Sequence, residues 1–270
     1  AAMFTSKCSY VWYPFVNVPL VSPRYIVTIH DLSQYRNDIY FSSYSRLYYK
    51  ALIFFAVKFS KHILTVSETS RSEIIERFSV QKRKITVTYN GVSLSGSEEQ
   101  IYNDSLELSY DYFLYSGGLG RRKNIINMIK AFQLVRSNFS SDIKLLITGN
   151  YADHLYLDDY VADSGRYGIK FLGYVSNAEL SELYSSALIV YYLSIYEGFG
   201  LPILEAQSYG VPVVVSNSSC LPEIAGKGSI CVDPKNLDDI AKETINLITD
   251  KKKYEKIKKD GYYNIKRFSW

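Results

Sequence analysis

Two glutamates bracket the stretch of this chain with the most chemical content, Glu197-Gly198-Phe199-Gly200-Leu201-Pro202-Ile203-Leu204-Glu205. Gly198 and Gly200 let the backbone come close to a ligand and present amide hydrogens to it. Pro202 suits the first turn of a helix, where its missing N–H costs nothing. A helix that starts here aims free amides and the positive end of its dipole at an anion such as a diphosphate. Both carboxylates can then face one solvent-filled pocket and accept hydrogen bonds from the paired hydroxyls of a ribose or a hexose. The plain alternative is a strand-to-helix loop with a glutamate placed for the dipole. A bare pair of glutamates at this spacing would favour that alternative; the Gly-Phe-Gly-Leu-Pro insert argues against it.

A second stretch, Ser116-Gly117-Gly118-Leu119-Gly120-Arg121-Arg122-Lys123-Asn124, joins a glycine-rich loop to adjacent cations. Amides and charges that converge in this way suit a diphosphate. It is not a dinucleotide fingerprint, because Lys123 stands where the third glycine belongs and Thr148-Gly149-Asn150 offers no acid to a ribose. The Gly-Lys-Ser/Thr ending of a phosphate-loop ATPase is also missing. His30-Asp31 follows an apolar run, where an imidazole can contact sugar hydroxyls or the reacting centre, as a donor or a titrating group. Weaker signals are Thr65-Val66-Ser67-Glu68-Thr69-Ser70, Asn90-Gly91-Val92, Leu221-Pro222-Glu223 and Gly173-Tyr174-Val175, where the ring of Tyr174 or backbone amides could meet a nucleobase. No Asp-x-Asp pair ends a strand, so no metal and no other cofactor is expected.

The elements that must position these groups alternate. Strands are expected at 25–30, 62–66 and 85–89, with helices over 41–60 and from Ser70, whose spacing to Glu73 fits a capping box. After a polar, aperiodic stretch the alternation resumes, with strands at 112–116, 143–148, 169–172, 187–193, 212–215 and 229–232. Helices are expected at 124–137, 152–164, 177–185, 201–209, 237–249 and 251–267. Both runs are parallel α/β patterns, and ligands bind beyond the carboxyl ends of such strands. The expected organisation is a partial N-terminal Rossmann-like domain over 1–95, a linker over 96–109, a second Rossmann-like domain over 110–250, and a helix over 251–270 that crosses back toward the first. The opening strands of the first domain are not seen, and both ends look cut.

Apolar residues make up 47% of the 270 and charged residues 21%, the profile of a globular chain. A formal net charge of +4 allows an anionic small molecule or an acidic membrane surface and is too small for a nucleic-acid footprint. Three cysteines without metal-like spacing, Cys8, Cys220 and Cys231, point to a reducing, cytoplasmic compartment. Residues 1–10 lack the order of a signal peptide, and the longest apolar stretch, Ala51 to Val57, is too short to cross a bilayer.

In order and content these motifs resemble glycosyltransferase family 4, the retaining group 1 glycosyltransferases. The likeness runs through Thr28-Ile29-His30-Asp31, Thr65 to Ser70, Tyr89 to Val92, Gly118 to Asn124, Phe171 to Val175, Glu197 to Glu205 and Leu221 to Glu223. The resemblance implies the two-domain GT-B fold and transfer of a hexose, mannose or a related sugar, from a nucleoside-diphosphate sugar to a glycan or glycolipid hydroxyl in bacterial surface polysaccharide or lipopolysaccharide synthesis. It implies that Glu205 holds the donor ribose, and that Glu197 with the amides of Phe199, Gly200 and Leu201 holds the sugar and β-phosphate. Arg122 and Lys123 would neutralise the leaving diphosphate, and His30 would contact the sugar near the acceptor. Where many members carry an Arg after the first glycine of the phosphate loop this chain has Gly118, a post that falls to Arg122. Peripheral contact with the inner face of an anionic membrane is expected around Arg46, Lys50, Lys58 and Lys61. A non-catalytic nucleotide-sugar-binding remnant, or another GT-B enzyme such as an epimerase, are the rival readings.

Overall fold

The computed structural model describes residues 10–18, 25–36, 42–92, 110–152 and 154–270. The chain forms two compact units, Ala1–Asn90 with Glu197–Phe199, and Gly91–Tyr196 with Gly200–Trp270. The expected linker, 96–109, lies outside the described residues.

The first unit carries a parallel sheet in the order β1 (Val11–Tyr13), β2 (Tyr25–Thr28), β3 (His62–Thr65), β4 (Ile85–Val87). Tyr25, Val27 and Ile63 are fully buried, as strands covered by helices require. Helix α1 (Ser43–Phe59) turns Ile53, Ala56 and Val57 inward, and Ser42 caps it by accepting from the Ser45 amide at 3.2 Å. Helix α2 (Glu68–Phe78) begins one turn earlier than its spacing predicts. Ser67, not Ser70, is the cap: it leaves the end of β3 in an extended conformation that aims its Oγ at the Ser70 amide, 3.1 Å away.

The second unit holds six parallel strands: β5 (Tyr112–Tyr115), β6 (Lys144–Thr148), β7 (Ile169–Gly173), β8 (Ile189–Tyr192), β9 (Val213–Ser216) and β10 (Ser229–Val232). Their order is β10-β9-β8-β5-β6-β7. The chain enters at β5, winds out through β6 to the edge at β7, then returns to the other side of β5 with β8. The direction of winding reverses between β5 and β8, and there the loops part to leave a crevice beyond the carboxyl ends. The glycine-rich stretch follows β5 and the glutamate stretch follows β8, so both motifs sit at this switch point.

Around the sheet lie α3 (Ile125–Asn138), α4 (Asp158–Ala162), α5 (Ser164–Tyr167), α6 (Asn177–Ser186), α7 (Leu201–Ser208), α8 (Leu221–Ala225), α9 (Leu237–Thr249) and α10 (Lys251–Ile265). The helix expected over 152–164 is instead a 3-10 turn, Leu155–Leu157, followed by two short helices. Asp158 and Asp159 favour a first turn, which delays the start, and Gly168 ends the second piece at φ +68°. Helix α10 packs on α7 through a buried amide network. Asn264 donates to Gln207 Oε1 and to the Ile224 carbonyl, both at 2.8 Å, and Gln207 donates to the carbonyls of Ala225 and Gly228. Each such bond contributes about 1 kcal/mol net, and together they hold the helix that carries Glu205. No helix among the described residues is long and apolar enough to cross a membrane.

Candidate functional site

The loop after β5 has no slack. Gly117 sits at φ +141°, a conformation only glycine adopts readily, and a Cβ on Gly149 would lie 2.5 Å from the Gly117 carbonyl oxygen. Gly118 is different: open space surrounds the position of its missing Cβ, and its carbonyl accepts from the Tyr115 hydroxyl at 2.6 Å. The steric need for glycine therefore falls on Gly117 and Gly149 rather than on Gly118. Arg121–Lys123 forms one 3-10 turn, and Asn124 follows at φ 60°. Its amide donates to the carbonyls of Leu193 at 3.1 Å and Pro234 at 2.8 Å. That one side chain ties the loops after β5, β8 and β10 together.

The two predicted cations are not a solvated basic loop. Lys123 is buried, with its ammonium 3.0 Å from the Tyr192 hydroxyl and 5.1 Å from that ring's centre. Arg122 donates to the Tyr196 carbonyl at 3.1 Å, and its own carbonyl accepts from the Ile195 amide at 2.8 Å. Both are stitched to the segment that leads into the glutamate stretch. A pair of cations held this way is preorganised to meet negative charge without moving.

Helix α7 starts at Gly200, whose φ of +115° again requires glycine, and has proline in its first turn. Leu201, Glu205 and Ser208 lie along one side of α7 and line a cavity of about 360 Å³. Asn177, Leu180, Ser181 and Tyr184 of α6 form the facing wall, and Gly91, Val92, Tyr209 and Trp270 complete it. Gly91 is a glycine for a steric reason, since a Cβ there would meet the Trp270 ring at 2.6 Å. Glu205 is half-buried and accepts a hydrogen bond from the Tyr184 hydroxyl at 2.9 Å. Burial raises its carboxyl pKa above the ordinary value, and the Tyr184 bond opposes part of that rise.

In the first unit, the carboxyl end of β2 is clamped by buried hydroxyls. Thr65 Oγ1 donates to the Ile29 carbonyl at 2.8 Å, and Ser70 Oγ to the His30 carbonyl at 3.1 Å. The Thr65–Ser70 motif thus fixes the loop that carries His30. The imidazole is exposed, lies against Phe15, and places Nε2 3.0 Å from the Pro14 carbonyl. A carbonyl only accepts, so Nε2 bears the proton in this contact and Nδ1 faces elsewhere. Gly198 sits close under this loop, where a Cβ would come within 2.7 Å of the His30 carbonyl oxygen and 2.9 Å of Asp31 Cβ. Phe199 is buried beside Tyr89, their rings 6.3 Å apart. Glu197 is only 7% exposed. The sequence places both glutamates in a solvent-filled pocket; the cavity wall includes Glu205 and not Glu197.

Tyr174 follows β7, the edge strand, and at 87% exposure it does not line the cavity. Sequence reasoning passed over Tyr184 and Tyr192, two of 26 tyrosines with no motif around them. Position alone, on α6 and at the end of β8, puts them beside Glu205 and Lys123.

Residues 98–263 match the family described as glycosyl transferases group 1, and residues 9–95 match glycosyltransferase family 4. The chain is 34% identical over 275 residues to O-antigen chain mannosyltransferase B of Escherichia coli, covering 97% of this chain and 71% of that protein. It is 33% identical over 220 residues to the O-antigen chain mannosyltransferase RfbU of Salmonella typhimurium, covering 80% of this chain and 58% of that one. Among solved structures it is similar to HepE of Anabaena in complex with UDP and glucose, with a TM-score of 0.76 and 19% identity over 91% of this chain and 68% of that one. That likeness fits the two Rossmann-like parallel-sheet domains of the GT-B class.

Proposed function

The chain belongs to the group 1 glycosyl transferases, glycosyltransferase family 4, and from that premise we propose that it moves a hexose, mannose or a close relative, from a nucleoside-diphosphate sugar to an acceptor hydroxyl with retention at the anomeric carbon. The observation that carries this reading is the cavity at the start of α7, where the Glu205 carboxylate stands in a recess of nucleoside size. Glu205 accepts from the ribose hydroxyls. The start of α7 faces the β-phosphate, and Lys123 and Arg122 meet the charge that develops on the departing diphosphate. The bond from the anomeric carbon to the diphosphate oxygen breaks with its electron pair leaving on the phosphate. The acceptor oxygen bonds to that carbon from the same face, and its proton passes to the leaving oxygen. Glu197 and His30 act at the sugar.

In this reading no metal takes part, because the lysine, the arginine and the helix start supply the positive charge. The acceptor is a glycan or glycolipid of a bacterial surface polysaccharide, as the names of the two mannosyltransferase relatives suggest, and the enzyme works in the cytoplasm at the inner face of the membrane. Helix α1 supports that stance. Tyr44, Leu47 and Phe54 are exposed on it, Lys58 lies over the Phe54 ring at 5.8 Å, and residues 43–67 contain no acid.

The test is a thermal-shift panel of UDP, GDP and ADP with their hexoses, followed by product analysis with the donor that binds. One nucleotide and its sugar should stabilise the chain by about 2.7 kcal/mol at a hundredfold excess over its Kd, and the glycoside formed should keep the donor's anomeric configuration. Inverted product would remove the retaining mechanism, and no shift with any of the three would remove the donor assignment.

A further inference from the structure

Glu205 does not stand alone in the cavity wall. The Tyr184 hydroxyl lies 2.9 Å from Glu205 Oε2 and 2.5 Å from Ser116 Oγ. An ionised carboxylate only accepts and a phenol has one proton. The Tyr184 proton therefore goes to Glu205, and Ser116 must donate its own proton to the Tyr184 oxygen. The direction of the chain, Ser116 to Tyr184 to Glu205, follows from the donor inventory alone. The Tyr184 ring is 1% exposed and stacks on Tyr209 at 5.6 Å and 12°, so its hydroxyl cannot swing away. With Oε2 pinned, the carboxylate keeps one orientation and has acceptor capacity left for the cavity. Ser116 is also the first residue of the glycine-rich loop after β5, so the relay joins that loop to α7.

We propose that Tyr184 is a positioning residue for nucleotide recognition: its hydroxyl, held by Ser116, fixes Glu205 in the orientation that accepts both hydroxyls of a ribose. This rests on the reading that Glu205 meets the ribose of a nucleoside diphosphate. The consequence is selectivity between a ribose and a deoxyribose that depends on a phenol proton given to Glu205 rather than to the ligand. A merely structural tyrosine would affect both sugars alike.

The experiment measures Kd for UDP, GDP and ADP, each against its 2′-deoxy counterpart, on the wild-type chain and on Glu205→Ala, Tyr184→Phe and Ser116→Ala. The wild type should bind the ribonucleotide at least about tenfold more tightly than the deoxy form, as befits hydrogen bonds to a charged group. Glu205→Ala should abolish that ratio. Tyr184→Phe should reduce it to about threefold or less, with the larger part of the loss falling on the ribonucleotide. Ser116→Ala leaves the ring and the carboxylate in place and should lower the ratio by about two- to threefold; it stands as the test if Tyr184→Phe does not fold. If Glu205→Ala abolishes the ratio while Tyr184→Phe and Ser116→Ala keep it whole, the positioning role is wrong and the ribose assignment survives. If Glu205→Ala leaves the wild-type ratio intact, the ribose assignment itself is wrong, and the relay proposal falls with it.

Discussion

Glu197 and Glu205 flank one turn and yet occupy unlike surroundings. Glu197 is 7% exposed, beside a glycine packed too closely on the His30 loop to carry a Cβ. Glu205 is half-buried, lines a cavity and accepts a hydrogen bond from the Tyr184 phenol. A buried carboxylate is tolerable only while its hydrogen bonds are kept, so its removal is felt by the fold. A carboxylate on a cavity wall trades protein contacts for ligand contacts, so its removal is felt by the ligand. Substitutions can therefore pull the two apart: loss of Glu197 should be felt first by the fold, and loss of Glu205 first by a ligand in the cavity.

The largest effect should come from neither glutamate. Lys123→Ala removes the buried cation at the β5–β8 switch point and should lower turnover by about 10²–10³-fold, the usual cost of one preorganised donor to a developing anion. Steady-state kinetics with and without a chelator check this. Unchanged turnover, or activity that depends on added manganese or magnesium, would take the diphosphate away from Lys123.

Glu197 should come next, and it divides by substitution. Glu197→Ala should lower the melting temperature measurably, since it deletes a buried hydrogen-bonding group at a cost of about 1–3 kcal/mol. Glu197→Gln keeps the shape, should keep the fold, and should still lower kcat while free nucleotide binds as before. Calorimetry beside kinetics separates the two. An alanine variant with wild-type stability would mean that Glu197 faces solvent after all.

Glu205 should show the opposite sign in stability. Its carboxyl pKa is raised above the ordinary 4.5 by burial. The folded state therefore holds the proton more tightly than the unfolded one, and stability is fully present below pH 4.5 and lost as pH rises through the folded value. Glu205→Gln removes that loss. The variant should melt higher than wild type at pH 7, the gain should fade as the pH falls to about 4, and nucleotide affinity should drop throughout. A gain that grows toward low pH would reverse the assignment.

The smallest effect should be at Tyr174. At 87% exposure beyond the edge strand, Tyr174→Ala should change nucleotide affinity by no more than about threefold, the scale of an ordinary surface change. Titration of the preferred nucleoside diphosphate decides it. A loss of tenfold or more would mean that the base stacks on this ring, and would extend the site toward β7.

What the sequence made legible follows from how local the signal is. Buried parallel strands are short runs of β-branched and apolar residues bounded by turns, so β10 and α9 fall where expected, at 229–232 and 237–249. The segment 152–164 is helical only in pieces, because Asp158 and Asp159 set a new first turn inside it and Gly168 ends the last piece. The switch point was legible only as two motifs that each follow a strand; their adjacency needs the strand order, which depends on pairing β5 with β8 across the sheet. Glu205 could be picked from its place after Gly-Leu-Pro. Its partner Tyr184 could not, because the contact joins two helices and no spacing rule marks one tyrosine among many. The burial of Glu197 was hidden for a like reason, since nothing beside it in the sequence announces it. Gly117 and Gly149 show the limit from the other side: several glycines were visible, and only the backbone says which of them are required.

The most direct measurement is the affinity of free nucleoside diphosphate for Glu205→Ala against the wild type, by titration calorimetry, with a thermal melt of each protein alone. The account predicts a loss of roughly 1.5–3 kcal/mol, the range of hydrogen bonds to a charged group, with donor sugar and free nucleotide weakened alike and the melting temperature not lowered. Wild-type affinity in the variant, or a variant that loses its fold, would contradict it.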